Sequence, residues 1–494
     1  MARSLKRRDF LKATAAGSAL YLGSAGIAAA AADSKLARLT AVGRAASPVR
    51  VGKVYMGRRG AGWPNPKCDF DAEVSKIEAE FAKLSPRLPD VTFVDAGLVT
   101  DGQQMAALKA KFGDVDGIII VHLSLGTGGL VKELLTLGIP TLFFTLPYSG
   151  HEWTTIGPLQ KQGHKIELLA TGDFDDLVAA MRPFRAIHHL KQAKILYLQN
   201  GGPNAEYAQG LHDRFGVEIK TIHLPQLAEA YKAVDDELAQ ADADRWIREA
   251  RKVVEPTRDD IVASSRMYFA MKQLLAEEQA HLITINCLGL GLIGRGLAYP
   301  CLGFSRLNSE GFGGICERDL PSSMTYLIFQ GLSGKPGFVS DPVIDTSTST
   351  IMHAHCVAAI KMDGPDGEQC PYIIRNHLED LKGASLQVKM RVGQEITMAK
   401  LVGTDTMLVS TGKIIKNPDV DRGCRTKITT KVENVRKIAA DWAYGLHRVV
   451  FYGNHMDDIR RLSRLLGFKV LHEGVDDINP SEAQIERDTR VYAS

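Results

Sequence analysis

The sequence predicts an α/β protein: two doubly wound parallel-sheet domains followed by a small, mainly antiparallel β C-terminal domain. Three observations lead there. Apolar strand-like runs alternate with amphipathic stretches over 50–185, the rhythm of a parallel sheet with helices on its faces. The rhythm restarts at the run KILYLQ, 194–199. After about residue 357 it gives way to short strands joined by Gly, Asp and Asn turns. The 494 residues are more than one core usually supports. The expected division is 1–33 export signal, 48–190 first α/β domain, 191–356 second α/β domain and 357–494 β-rich domain with closing helices.

The first series opens with the strand Val51–Met56, an amphipathic stretch at 71–84 and the strand Val91–Asp95. A helix at 101–112 leads to the strongest strand, Gly117–His122 (GIIIVH). A turn-rich loop, a helix at 129–137 and the strand Thr141–Leu146 follow. A basic stretch at 185–194 separates this series from the next. The second series has strands at 194–199 and Val217–His223, helical patterns at 225–239, 242–253 and 257–279, and a strand at His281–Cys287. In the last third, Tyr372–Ile374, Leu386–Arg391, Glu395–Val402 and Thr406–Lys413 read as strands. A helix at 431–443, a strand at 447–452 and a helix at 456–466 close the chain.

Composition excludes several classes. Hydrophobic residues are 45% and charged residues 24%, ordinary for a soluble globular chain. The formal charge of +3 includes a basic N-terminal cluster, and no basic patch suited to nucleic acid stands out. That cluster, Lys6-Arg7-Arg8, precedes Phe10-Leu11-Lys12, a weakly apolar Ala/Gly/Leu stretch and an Ala-rich exit. The pattern is that of a twin-arginine signal, which implies a periplasmic or other extracytoplasmic destination and no stable membrane insertion once the signal is removed. The same segment left uncleaved would be an N-terminal anchor. The seven cysteines include no CxxC pair and stand in apolar runs, which points to buried free thiols rather than a disulfide framework.

Gly289-Leu290-Gly291-Leu292-Ile293-Gly294 is a literal GxGxxG after a strand. A dinucleotide site needs a long helix directly behind it, so that the helix N-terminus faces the pyrophosphate. Pro300 follows too soon for that, and the segment reads instead as a Gly-rich approach to a pocket.

The densest polar cluster in an apolar setting runs from 300 to 356. Glu317 follows Ile315-Cys316 and precedes a helix beginning near Pro321. Asp341 follows Phe338-Val339 and precedes an expected turn at Pro342. Carboxylates at strand ends sit where open sheets place ligands, and one helix's worth of chain separates the two. Carboxylate oxygens with an imidazole suit Mn²⁺, Mg²⁺ or Zn²⁺. Taken alone, each carboxylate reads first as a structural helix cap or ion-pair member, and Asp319 and Asp345 are substitutes for either. His353 and His355 lie two apart, on one face of a strand: a metal geometry, or a polar pair in the core.

The runs GFGGICERD, FVSDPVID and HAHC, preceded by PCLGFSRLNSEG and followed by a small β unit, resemble the L-fucose and L-arabinose isomerase family, chiefly its fucose-isomerase-like C-terminal half. The resemblance covers about 280–470. It implies a divalent metal, Mn²⁺ first, held by Glu317, Asp341 and a downstream histidine. Glu317 and Asp341 would also be the acid/base pair. His447 in YGLHRVVFYGNH matches the histidine, with His455 its alternative and His355 a possible further ligand. The usual His-His doublet reads His447-Arg448, so Arg448 would set a fixed cation near the pocket, and Arg318 stands where a small residue is usual. The resemblance further implies a homo-oligomer in which the loops at 57–66 and 147–154 complete a neighbour's site, with Arg58, Trp63 and Trp153 toward substrate.

The expected function is therefore metal-dependent aldose–ketose isomerisation of a small sugar by ene-diol proton transfer. Two alternatives use the same residues differently: another carbohydrate chemistry on this fold, such as glycoside hydrolysis, or a non-catalytic periplasmic sugar binder. The export reading carries its own test. Replacing Arg7 and Arg8 together by Lys should leave the protein in the cytoplasm on cell fractionation, and normal periplasmic accumulation of the double variant would refute it.

Overall fold

A computed structural model describes residues 47–479 apart from 200 and 288, so the expected export signal lies outside the described residues. Five parallel strands form the first sheet: β1 (Val49–Met56), β2 (Val91–Val99), β3 (Gly117–His122), β4 (Thr141–Thr145) and β5 (Ile166–Ala170), in the order β2-β1-β3-β4-β5. The GIIIVH run of β3 is buried along its whole length. Its alternate residues serve two cores, Ile119 and Val121 in one and Ile118 and Ile120 in the other. Helices Phe70–Leu84 and Arg182–Gln192 pack into the first core. Helices Met105–Lys111, Gly128–Leu135 and Trp153–Lys161 pack into the second.

The second parallel sheet contains β6 (Lys194–Leu198), β7 (Glu218–Ile222), β9 (Leu282–Ile285) and β10 (Gly313–Cys316), in the order β10-β9-β6-β7; β8 (Lys252–Val253) lies elsewhere. The three helical patterns before β9 are helices at Leu224–Ala233, Asp236–Glu249 and Arg258–Glu277. The GxGxxG segment leads only into one 3₁₀ turn, Ile293–Arg295, as Pro300 foretold.

The remaining strands are β11 (Phe338–Asp345), β12 (Thr350–His355), β13 (Tyr372–Arg375), β14 (Ser385–Val388), β15 (Glu395–Val402), β16 (Thr406–Lys416), β17 (Thr426–Val432), β18 (Arg448–Tyr452) and β19 (Lys469–His472). β13 and β14 join β8 in a small sheet. Six of the others pair antiparallel in the cycle β15-β18-β11-β12-β17-β16 and back to β15, a barrel-like closure, and β19 adds parallel to β16. Closure gives each of these six strands a partner on both sides, though β18 accompanies β11 only over Phe338–Ser340.

Several expectations need correction. Strand β11 runs through Pro342 to Asp345, with no turn at Pro342. The proline is tolerated because β18 pairs only with Phe338–Ser340, so Pro342 has a neighbouring strand on one side only. The helix expected over 431–443 is shorter, Val435–Ala440. It is preceded by β17, whose alternating β-branched residues (TKITTKV) suit a strand. Asn434, at φ 53°, separates the two. The basic stretch at 185–194 is mostly the helix Arg182–Gln192, whose Phe184, Ile187 and Leu190 are buried. That helix packs on Leu320–Ser333, where a Cβ at Gly331 would meet the Ala186 Cα at 2.8 Å.

All seven cysteines are free, and Cys287, Cys301, Cys316 and Cys356 are buried, as the sequence suggested. Among the described residues no helix is long and apolar enough to cross a membrane.

One buried ion pair fastens the end of the chain to the barrel. Arg448 and Glu473 are both fully enclosed, with Nη2 donating to Oε1 at 2.8 Å. The guanidinium also lies 4.1 Å from the Trp442 ring and donates to the carbonyls of Ala443, Gly445 and His447. Glu473→Ala strands a buried cation and should cost about 3–5 kcal/mol. The check is the denaturant midpoint followed by Trp442 near-ultraviolet circular dichroism, and an unchanged midpoint would show that Arg448 does not depend on Glu473.

Candidate metal centre

The first carboxylate is set by tight packing. At Gly314 a Cβ would meet the Phe304 Cα at 2.7 Å, so glycine lets the helix Cys301–Ser309 lie against β10. The strand ends at Cys316, and Glu317 and Arg318 then both adopt left-handed backbone, at φ 61° and 53°. Such non-glycine residues cost about 1–3 kcal/mol each and cluster at functional sites. The double reversal aims Glu317 away from the sheet and starts the helix Leu320–Ser333. Asp319 is that helix's N-cap: Oδ1 accepts from Ser322 N at 2.9 Å, and Oδ2 accepts from the Ser322 hydroxyl at 2.6 Å.

The helix carries the chain out of the second parallel sheet and into the barrel. Asp341 therefore sits on an antiparallel strand, β11, instead of at the end of a parallel one. His355 ends β12, and His447 immediately precedes β18. Because β18 and β12 flank β11, the three side chains emerge together at one mouth of the barrel, facing Glu317 just after β10.

The contacts converge on His447. Its Nε2 lies 3.1 Å from Asp341 Oδ1 and 3.5 Å from Glu317 Oε2. Its Nδ1 donates to Asp319 Oδ2 at 2.7 Å. His355 Nε2 lies 3.6 Å from Glu317 Oε1, and the two histidine rings are 5.7 Å apart. Glu317, His355 and His447 each offer a ligand atom, all within 4.8 Å of one another, so this group can hold a metal ion. Asp341 reaches the cluster through His447. The Glu317 and Asp341 side chains keep 44% and 29% of their exposure, which leaves the site open to a small ligand.

The charges are consistent with a cation site. His355 beside it holds Glu317 below the usual carboxylate range against the effect of burial. Burial alone would raise Asp341, but His447 and His355 hold it low. Asp319, fully buried, is pulled far down by His447, Lys400 and Ser322 despite its desolvation. Burial opposes the charge on His447, yet Asp319, Asp341 and Glu317 outweigh it and push the imidazole up to about 10. Without a metal this ring is thus an imidazolium at neutral pH.

Other sequence candidates lie elsewhere. Arg448 points away from the site into its ion pair with Glu473, since neighbouring strand residues face opposite sides; it places no cation in the pocket. His455 stands at the N-cap position of the helix Met456–Leu466 without a side-chain cap bond, its Nδ1 3.3 Å from Asp458 and its Nε2 3.1 Å from the Tyr452 carbonyl. His353 is enclosed between the Ser340 and Thr430 hydroxyls and belongs to the barrel core. Asp345 caps the exposed turn at Ser347-Thr348. Arg318 turns to Gln199 at the end of β6. Trp63 and Trp153 line an aromatic pocket of about 410 Å³ with Tyr148 and His151, beyond the ends of β4 and β5 in the first domain. The backbone N–H of Arg58 donates to the Ser124 hydroxyl between the β1 and β3 loops of that domain.

The role of Asp319 escaped sequence reasoning. Asp319 stood only as a substitute for Glu317 or Asp341, and nothing local shows that its second oxygen meets His447, 128 positions onward.

A divalent ion taking the His447 Nε2 lone pair must displace the ring's proton. Metal affinity should therefore fall about tenfold per unit as the pH drops below about 10, the pKa to which His447 is raised, until the carboxylates also protonate. Asp319→Asn keeps a good cap but loses the charge, and should weaken binding about 10–100-fold. Titration of metal-free protein with Mn²⁺ between pH 6 and 9 reads both, and a pH-independent affinity would remove His447 from the ligand set. No protein-family model and no curated protein matches the chain, so the reading of this centre rests on its own geometry.

Proposed function

We propose that the protein is a metal-dependent aldose–ketose isomerase acting on a small sugar outside the cytoplasm, with Mn²⁺ as the preferred ion. In this reading the two parallel sheets are doubly wound units, and the second delivers Glu317 to the barrel mouth. The observation that carries the proposal is the meeting of Glu317 and Asp341 at His447 Nε2, while a buried carboxylate holds Nδ1. A metal-binding imidazole that donates its other N–H to a carboxylate has its tautomer and ring direction fixed. Glu317, Asp341 and His447 would hold the ion, an oxygen-rich set with one imidazole that fits a hard divalent cation. The ion, when bound, supplies Lewis-acid polarisation of two adjacent sugar oxygens.

The residues supply the rest. Glu317 and Asp341 are both held ionised. They come from different elements, the turn after β10 and strand β11, so they can address neighbouring carbons of one substrate. One carboxylate takes a proton from the hydroxyl-bearing carbon next to the carbonyl and returns it to the former carbonyl carbon, while the second carboxylate passes the proton of that hydroxyl to the former carbonyl oxygen. Glycoside hydrolysis would instead need one carboxyl raised and protonated as the acid, which neither environment favours. The aromatic pocket of the first domain would complete the site of a neighbouring copy in a homo-oligomer. A monodisperse monomer in light scattering would remove that contribution.

Glu317→Gln keeps the side chain's shape and removes its basicity. With Mn²⁺ present, the wild type should exchange solvent deuterium into at least one member of an aldose panel. The variant should lose this exchange while retaining part of its metal. Exchange at the wild-type rate by Glu317→Gln would end the proton-transfer role.

A further inference from the structure

His355 and His447 stand side by side, yet their ring nitrogens are committed in opposite ways. His447 gives its Nδ1 proton to Asp319, so in the neutral ring the lone pair lies on Nε2. His355 does the reverse: its Nδ1 accepts the backbone N–H of Cys356 at 2.9 Å. A nitrogen that accepts must carry the lone pair, so the proton of the neutral His355 ring is on Nε2.

That Nε2 is buried and has no hydrogen-bond partner among the described residues. The closest carboxylate oxygen, Glu317 Oε1, is 3.6 Å away, beyond hydrogen-bond length. A buried donor without an acceptor costs about 1–3 kcal/mol, and one aimed into an open site marks where a ligand atom belongs. Metal ligation at Nε2 would move the ring proton to Nδ1, straight against the Cys356 N–H. The backbone of β12 thus opposes the role that proximity alone would give this histidine.

We propose that His355 is not a metal ligand but a fixed hydrogen-bond donor, whose Nε2–H is aimed at an oxygen of a polyhydroxylated ligand bound beside the ion. The proposal rests on the metal–carbohydrate reading above and adds the residue that recognises the ligand's oxygen. It divides the three neighbouring groups by proton inventory. Glu317, and His447 once it has given up its Nε2 proton, offer lone pairs, and His355 offers a proton. A histidine in that state favours a hydroxyl or carbonyl oxygen over an ammonium or a second cation.

Two measurements decide it. In ¹⁵N-histidine-labelled wild type, long-range ¹H–¹⁵N spectra should show His355 protonated at Nε2 both without metal and with Mg²⁺. A proton at Nδ1, or loss of the Nε2 proton on adding Mg²⁺, would overturn the proposal with no variant involved. In the second, metal-free His355→Leu and His355→Gln are titrated with Mn²⁺ and then, at saturating Mn²⁺, with xylitol as an unreactive polyol. The Leu variant should bind Mn²⁺ within about threefold of wild type but xylitol about tenfold more weakly. The Gln variant, with an amide N–H near the Nε2 position, should recover part of the loss. A fall in Mn²⁺ affinity of about 100-fold for Leu would make His355 a ligand and overturn the proposal. Unchanged xylitol affinity in the Leu variant would overturn it as well. Failure of the wild type to bind Mn²⁺ would instead overturn the functional reading, while the spectra would still decide the state of His355.

Discussion

The site depends on one buried carboxylate. Asp319 spends its Oδ1 on the first turn of the helix Leu320–Ser333 and shares its Oδ2 between the Ser322 hydroxyl and the His447 ring. The helix leads out of the second parallel sheet, and His447 precedes a barrel strand. A single residue therefore aligns the two halves of the site, and it is enclosed enough for each hydrogen bond to count for more than it would in water. Isolated in that position, a carboxylate would be very costly. It is stable there because two donors of the helix start and an imidazolium surround it.

Around this point the protein uses buried charge repeatedly, each time with a partner. Lys272 is fully enclosed and reaches Glu310 at 2.5 Å, while Arg306 of the helix Cys301–Ser309 bridges Glu310 and Asp242. This network ties together the helices Asp236–Glu249, Arg258–Glu277 and Cys301–Ser309. The last of these packs its Phe304 against Gly314 of β10, the strand that ends just before Glu317. Arg448 with Glu473 does similar work on the far side of β18. Buried pairs of this kind add little net stability compared with apolar packing, but they penalise any arrangement that separates the partners. At β18 that penalty holds the backbone of Arg448, and so the preceding His447, in one position.

Much of the fold was legible because it rests on local patterning. The β3 run GIIIVH, the helix Met456–Leu466 and the strand Glu395–Val402 stand in the structure where their periodicity placed them. What was not legible depends on pairing across the chain. Asp341 reads as a strand-end residue of an open sheet because Pro342 resembles a turn. Only the short reach of β18 along β11 shows why the strand can continue through it. The end of β17, Lys431 and Val432, was absorbed into the expected helix because Lys and Val fit both states, and the rest of the strand was not read. At the site, the residue types were readable and their duties were not. Arg448 is next to a candidate ligand in sequence, and the alternation of a strand sends it to the opposite side. Asp319 read only as a substitute carboxylate; its place at the helix start and its bond to His447 both needed the fold to exist.

The backbone at Glu317 and Arg318 completes the physical picture. Two successive non-glycine residues in left-handed conformation would not persist in an isolated turn. They persist here because both ends are fixed. The residue before them is the buried Cys316, paired in register with Ile285 of β9, and the residue after them is Asp319, held by the helix start and by His447. With both ends held, the chain has no room to relax, and the Glu317 carboxylate is carried to the barrel mouth. The strain is local, while the packing and hydrogen bonds that offset it are spread over a sheet, a helix and a barrel strand. A carboxylate placed in this way needs little reorganisation before it meets a ligand, the condition under which fixed charges act most strongly on a reacting centre.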